Sequence, residues 1–371
     1  MAQRELRPPN VNTGNTHLKA LVFNGPHQIQ YESFADPKIT DDRNLIIKMQ
    51  CCSICGSDLH MYHGGRIGPF DYSQPTERFC TGHEMLGEVA EVGNAVRNHH
   101  VGDRILVSGG IGCGECKRCR AGQFNQCEGA ARGRGGTAYG IHPSLNGAHA
   151  EYVEIRHADL GATAIPDGVT DEQAILLTDA LATGYYGVKS VRVQPGDSVA
   201  VIGQGPVGRM AAEAAMAVGA SRVYCIDPQE ARRNAASAFG GIPLAPEVAV
   251  PQITEDTAGV GVDAVIEAVG MGPTIEQAVQ IARFGGRVSV LGVLQPDTPV
   301  PFQMAQGKSV SLHPGLAGVV DSWAELIPLI SGGRIKGDGV FTHQMPLSEG
   351  AEAFRMFEAR EDGVIKIMMT S

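Results

Sequence analysis

Residues 199–220, VAVIGQGPVGRMAAEAAMAVGA, decide how this chain is read. A short β-branched run, VAVIG at 199–203, passes straight into Gly203, Gln204, Gly205, Pro206, Val207 and Gly208, and then into an Ala-rich helical stretch. In a G-x-G-x-x-G turn of this kind the first glycine makes the tight bend. The second lets backbone approach a pyrophosphate, and the third lets helix and strand pack closely. Free N–H groups and the positive end of the helix dipole then face the phosphates.

Alone, such a motif is weak, because 48 glycines in 371 residues give about one match by chance. Its setting adds weight. Strand RVYCID (222–227) and helix QEARRNAASAFG (229–240) repeat the strand–helix unit. DAVIEAVG (263–270), the helical stretch PTIEQAVQIARFGG (273–286) and RVSVLGV (287–293) continue it. Alternation of this kind predicts a Rossmann-type, doubly wound parallel sheet with helices on both faces. Asp227 ends the second strand, where a carboxylate can accept hydrogen bonds from ribose hydroxyls and repel a 2′-phosphate. NAD is therefore expected rather than NADP.

On either side of this core the chain changes character. From about residue 18 to 165 it reads as short strands broken by Gly and Pro, such as LIIKMQC (45–51) and LGEVAEVG (86–93). Helix SEGAEAFRMFEAR (348–360) and strand VIKIMM (364–369) can return to that β-rich part. The expected division is a flexible tail at 1–17, a catalytic domain from 18–182 plus 312–371, and a dinucleotide-binding domain at 183–311.

Nine cysteines are present, and four of them fall in GCGECKRCRAGQFNQC. Cys113, Cys116, Cys119 and Cys127 stand at C-x2-C-x2-C-x7-C, a spacing that points to metal. Four thiolates saturate a tetrahedral zinc and leave no position for substrate, so the lobe at about 112–128 reads as a structural site. An iron–sulfur cluster is the rival occupant, although nothing else here suggests electron transfer.

Three further stretches carry metal-capable residues: CSICGSDLHMYHGG (52–65), TGHEMLGEVAEVG (81–93) and LLTDALATGYYGV (176–188). With them the chain resembles the zinc-containing medium-chain dehydrogenase/reductase family over nearly its whole length after residue 17. The resemblance implies a GroES-like catalytic domain around the Rossmann domain, two zinc ions per subunit, and hydride transfer between an alcohol or polyol and NAD. It places Cys55, His83 and Asp179 as catalytic zinc ligands, with Asp179 a departure from the cysteine many members have there. Glu84 corresponds to a glutamate that can approach the metal from behind. Asp58 corresponds to the residue that orients His83, and Ser57 with His60 to a proton relay serving a zinc-bound alkoxide.

The same resemblance puts Lys366 on the cofactor pyrophosphate and Arg232 at the adenosine ribose. Leu291, Gly292 and Val293 would meet the carboxamide through backbone groups, with Thr183 and Val269 near the ring. Cys51, Cys52, Cys80 and Cys225 match no ligand position and are expected to be structural. Tyr62, Phe70 and Tyr72, in a long stretch before His83, are expected at the cleft mouth. A formaldehyde-type dehydrogenase or dismutase with tightly held NAD, and a non-catalytic zinc-binding relative, are the alternatives.

Bulk properties agree with a small-molecule partner. A formal charge of −10 disfavours nucleic acid and anionic membranes, whose phosphates need clustered Lys and Arg. No signal peptide or spanning run is evident, so a cytoplasmic location is expected. The resemblance further implies a homotetramer, with a homodimer second, because the 128–147 loop is shorter than the excursion of dimeric animal-type members.

Overall fold

The structure, a computed structural model, describes residues 17–68, 70–74, 76–131 and 138–371. The expected tail thus lies almost wholly outside the described residues, as does part of the 128–147 excursion. Six strands form a wholly parallel sheet, in the spatial order Ile242–Leu244, Arg222–Ile226, Ser198–Ile202, Val262–Glu267, Ala282–Val290, Ser311–Pro314. Numbered along the chain this order is 3-2-1-4-5-6, and ligands in such sheets bind where the order reverses, between the first and fourth strands. The Gly-rich turn leaves the first strand at that point.

Both faces of this sheet are covered, as parallel sheets require. Along Ser198–Ile202, Val199 and Val201 enter one core, while Ala200 and Ile202 enter the other. The helix Pro206–Ala217 starts with Pro at its first turn, where the missing N–H costs nothing. Its Ala-rich face lies so close to the helix Ala180–Ser190 that a Cβ on Gly184 would stand 2.5 Å from the Ala211 nitrogen. Any side chain at 184 would force the two helices apart.

One helical expectation is too long. The stretch from 273 is helical only as Gly272–Ile281, and Ala282 already belongs to the next strand, pairing with Val262. Ala282 has turned to extended backbone, and Gly285 takes a φ of +65° that a helix does not accommodate.

The β-rich part centres on strand Leu45–Ser53, which pairs antiparallel with Glu84–Val92, Tyr152–Ile155 and Lys366–Thr370. Strand Phe341–Pro346 adds to Lys366–Thr370 in parallel, so the end of the chain does return to this sheet. A smaller sheet joins Leu18–Gly25 to Gln28–Phe34 and Phe79–Cys80. Between the two large sheets lie helices Asp171–Thr178, Ala180–Ser190 and Val319–Ser331. They share a core with Leu86, Leu106 and Met368 of the β-rich sheet and Val199 and Val201 of the parallel one. A ligand of the candidate metal site sits in this helical layer.

Candidate active site

Strand Leu45–Ser53 ends just before Cys55, which caps the short helix Gly56–Tyr62. Asp58, at the third position of that helix, accepts the Cys55 backbone N–H at 2.8 Å and closes a capping box. The fully buried Asp58 then turns its other oxygen to His83, 3.4 Å from Nδ1. His83 stands next to Cys55 because Ser53 and Glu84 are register partners in the sheet. Asp179 comes from elsewhere, at the break between helices Asp171–Thr178 and Ala180–Ser190, with φ −157° and ψ −68°.

These elements bring the donors together. The Asp179 Oδ2 lies 3.2 Å from the Cys55 sulfur and 3.7 Å from His83 Nε2. Ligand atoms of Cys55, His83, Glu84 and Asp179 all fall within 4.8 Å of one another. Donors bound tetrahedrally at 2.0–2.3 Å from zinc stand about 3.3–3.8 Å apart, so the observed edges suit that ion. The histidine is also presented correctly. Its Nε2 faces the other donors while Nδ1 faces Asp58, and both Nδ1 and the Asp58 Oδ1 are buried without another partner. A metal on Nε2 fixes the Nδ1–H tautomer and satisfies that pair.

Charges within the cluster are mutually dependent. Burial pushes the Cys55 thiol up, and the Asp179 carboxylate adds to the effect. Burial alone would raise Asp179, yet the hydrogen bond and charge of His83 hold it well below the usual carboxylate range. A divalent cation would stabilise the thiolate and carboxylate together, releasing the thiol's proton as it binds.

Ser57 Oγ lies 3.1 Å from His83 Nε2, on the donor side of the cluster. His60 follows one turn later on the same helix, half-buried, and burial lowers its pKa with His63 adding to the shift. It is therefore neutral around pH 7 and able to accept a proton.

Lys366 is not where the resemblance put it. Its side chain is fully buried, its ammonium donating to Glu84 at 2.7 Å and to the Ile54 carbonyl at 3.2 Å. Burial opposes charge on Lys366, but Glu84, Cys55 and Asp179 together outweigh it and keep the group protonated. The strand Lys366–Thr370 runs beside Leu45–Ser53, so the ammonium reaches Glu84 at the candidate metal cluster. Glu84 is thereby pinned between Lys366 and the Ser53 hydroxyl. Tyr72 is also misplaced by the sequence reading: it is buried against Phe23, with its hydroxyl on the Ile141 carbonyl. Phe70 stacks on His142, and Tyr62 contacts Phe354 and His27.

The sequence reading also missed His149, buried behind the cluster. It bonds to Thr81 Oγ1 at 2.8 Å and the Ser53 carbonyl at 3.1 Å, and a Cβ on Gly82 would strike its ring. No spacing in the sequence marks it.

At the nucleotide end, Gly203 has φ +89°, and a Cβ on Gly208 would lie 1.7 Å from the Gly203 carbonyl oxygen. Pro206 and Val207 open the helix that follows. Asp227 accepts the N–H groups of Gln204 and Gln229, both at 2.8 Å, which ties the turn to the end of the second strand. Each carboxylate oxygen keeps a lone pair for a ribose hydroxyl. Arg232 arches over this turn, Nη1 lying 3.8 Å from a Cβ position on Gly205 and Nη2 donating to the Val364 carbonyl at 2.7 Å. Val269 lies against Gly203, and the Leu291 and Gly292 N–H groups bond to the Glu267 carbonyl, followed by Val293. Thr183 is found hydrogen-bonded to Asp179.

The cysteine lobe is self-contained. Its four sulfurs lie within 4.8 Å of one another, and the Cys113, Cys116 and Cys119 N–H groups point to the sulfurs of Cys127, Cys113 and Cys116. N–H groups of Cys119 and Glu128 lower the Cys116 thiol to about 6, favouring the thiolate that zinc needs. Cys51, Cys52, Cys80 and Cys225 are buried elsewhere, and all nine cysteines are free of disulfides. Among the described residues no helix is long and apolar enough to cross a membrane.

Comparison with known proteins identifies both domains. Residues 41–167 match the alcohol dehydrogenase GroES-like domain, and residues 206–332 match the zinc-binding dehydrogenase family. The chain is 37% identical to a probable zinc-binding alcohol dehydrogenase of Mycobacterium tuberculosis, over 92% of this chain and 86% of that protein. It is 29% identical to a sorbitol dehydrogenase of Bacillus subtilis, over 95% and 97%. Its fold superposes on the alcohol dehydrogenase TADH from Thermus sp. ATN1 with a TM-score of 0.85 at 33% identity, covering 95% of this chain and 99% of that one. The chain belongs to the zinc-containing medium-chain dehydrogenase/reductase family. Within it, the chain is an enzyme of the zinc alcohol dehydrogenase type, with a GroES-like domain and a Rossmann domain.

Proposed function

We propose that this enzyme transfers a hydride between an alcohol or polyol and NAD at the Cys55, His83 and Asp179 cluster. The observation that carries the reading is three protein donors converging on one point, with the Ser57 hydroxyl beside them. A zinc ion held there would supply a Lewis acid with one position left for an oxygen of the substrate.

The chain's own residues account for the rest. Asp58 holds His83 in the tautomer that frees Nε2. Ser57 Oγ accepts the proton leaving the alcohol and passes its own toward neutral His60 or the cofactor ribose. The Gly203–Gly208 turn binds the pyrophosphate through backbone N–H groups, and Asp227 selects NAD over NADP by its charge. Val269 and the backbone of Leu291, Gly292 and Val293 position the nicotinamide, with Arg232 at the adenosine ribose. Glu84, pinned by Lys366, stays behind the metal in the resting arrangement. A homotetramer completes the reading, with a homodimer as the alternative outcome of light scattering.

The experiment is a screen of primary, secondary, aromatic and polyol substrates with NAD and NADP, following absorbance of the reduced cofactor. Turnover of at least one alcohol with NAD preferred is expected. A zinc-replete preparation inert toward every class would overturn the reading.

A further inference from the structure

Asp179 poses a problem that a cysteine at the same place does not. A thiolate offers one ligand atom, whereas a carboxylate offers two and can bind a metal through one or both. Here the two oxygens face different partners. Oδ2 points at the Cys55 sulfur and His83 Nε2, while Oδ1 accepts a hydrogen bond from Thr183 Oγ1 at 2.9 Å.

Thr183 lies one turn further along the same helix, and its backbone N–H bonds to the Asp179 carbonyl at 2.7 Å. A single residue thus grips both backbone and side chain of the aspartate. Its β-branched side chain has few rotamers in a helix, so the hydroxyl is held in place before any metal arrives.

We propose that Thr183 is a positioning residue that reserves Oδ1 of Asp179 and leaves Oδ2 as the only oxygen offered to the metal. The inference rests on reading Cys55, His83 and Asp179 as the catalytic metal site. Its consequence is coordination number. With Oδ1 occupied, Cys55, His83 and Asp179 would each give the ion one atom and leave one position for substrate, as turnover requires. Without the tether the carboxylate can rotate and bring in its second oxygen, crowding the position meant for substrate.

The resemblance also puts Thr183 near the nicotinamide ring, so activity alone does not separate the two roles. The test uses full-length chain with the cysteine lobe zinc-filled, titrated with Co(II) against a competing chelator. Thr183→Val and Thr183→Ser are compared with the native residue, each in the Asp179 and the Asp179→Cys backgrounds.

In the Asp179 background, Thr183→Val is expected to weaken cobalt binding about 10- to 100-fold, the range for a lost partner of a metal ligand. The visible spectrum should shift from four-coordinate toward higher coordination. Thr183→Ser keeps the hydroxyl and restores both. In the Asp179→Cys background, where no second oxygen exists, Thr183→Val should change affinity by less than about twofold, a non-additivity that isolates the pair. Unchanged affinity and spectrum for Thr183→Val, or an equal loss in both backgrounds, overturns the proposal. Absence of any cobalt beyond the zinc-filled lobe in the native chain overturns the metal-site reading on which it stands.

Discussion

The two candidate metal clusters are built on opposite principles. Cys113, Cys116, Cys119 and Cys127 come from one contiguous stretch, and the sulfurs of Cys113, Cys116 and Cys127 accept N–H groups from within it. Cys55, His83 and Asp179 come from a helix cap, a strand end and a helix break, the outer two separated by 124 positions. A local cluster can hold its ion with little help from the rest of the fold. The dispersed one exists only when the β-rich sheet and the helical layer are docked. The first offers four equal sulfur donors to a metal; the second offers a mixed set of sulfur, nitrogen and oxygen.

This contrast makes unequal demands on stability and turnover. The largest effect on stability is expected from Cys113→Ser. Structural zinc contributes about 10 kcal/mol or more to folding in small zinc modules. Calorimetry should show a fall in Tm of at least about 10 °C, with the folded fraction still turning over. Loss of activity with Tm unchanged would erase the distinction between the clusters.

Cys55→Ala should do the reverse. Losing the Lewis acid removes several kcal/mol of transition-state stabilisation, so kcat/KM should drop about a thousandfold or more while Tm moves little. Steady-state kinetics beside calorimetry checks it.

Lys366→Met tests the buried pair behind the open site. Removing one partner leaves Glu84 buried and uncompensated, a cost of about 3–5 kcal/mol in denaturant unfolding. If Lys366 instead gripped the pyrophosphate, the KM for NAD would rise and stability would hold.

The smallest effect is at the far end of the cleft. Asp227→Gly should lower the preference for NAD over NADP by about tenfold, near the worth of a single hydrogen-bonded charge. Equal ratios before and after the change would remove Asp227 from cofactor selection.

What the sequence disclosed follows the same division. The cysteine lobe was legible from spacing because its geometry is local, and the parallel sheet because strand and helix periods alternate over a hundred residues. The open site was not legible from spacing at all. Cys55, His83 and Asp179 stood out only through resemblance, since the register that places Ser53 opposite Glu84 is invisible in one dimension. The resemblance assigned Lys366 to the pyrophosphate, and its burial beside Glu84 could not be read in one dimension, because it follows from the pairing of Lys366–Thr370 with Leu45–Ser53. Tyr72 failed likewise, an aromatic in a Gly- and Pro-rich stretch that the fold spends on its core.

The central claim is that a metal sits at the dispersed cluster and depends on Asp179. Elemental analysis of purified native chain and of Asp179→Ala, by mass spectrometry of acid-released zinc, tests it most directly. Two zinc ions per chain are expected in the native protein and one in the variant. A single ion in both, or two in both, would contradict the account.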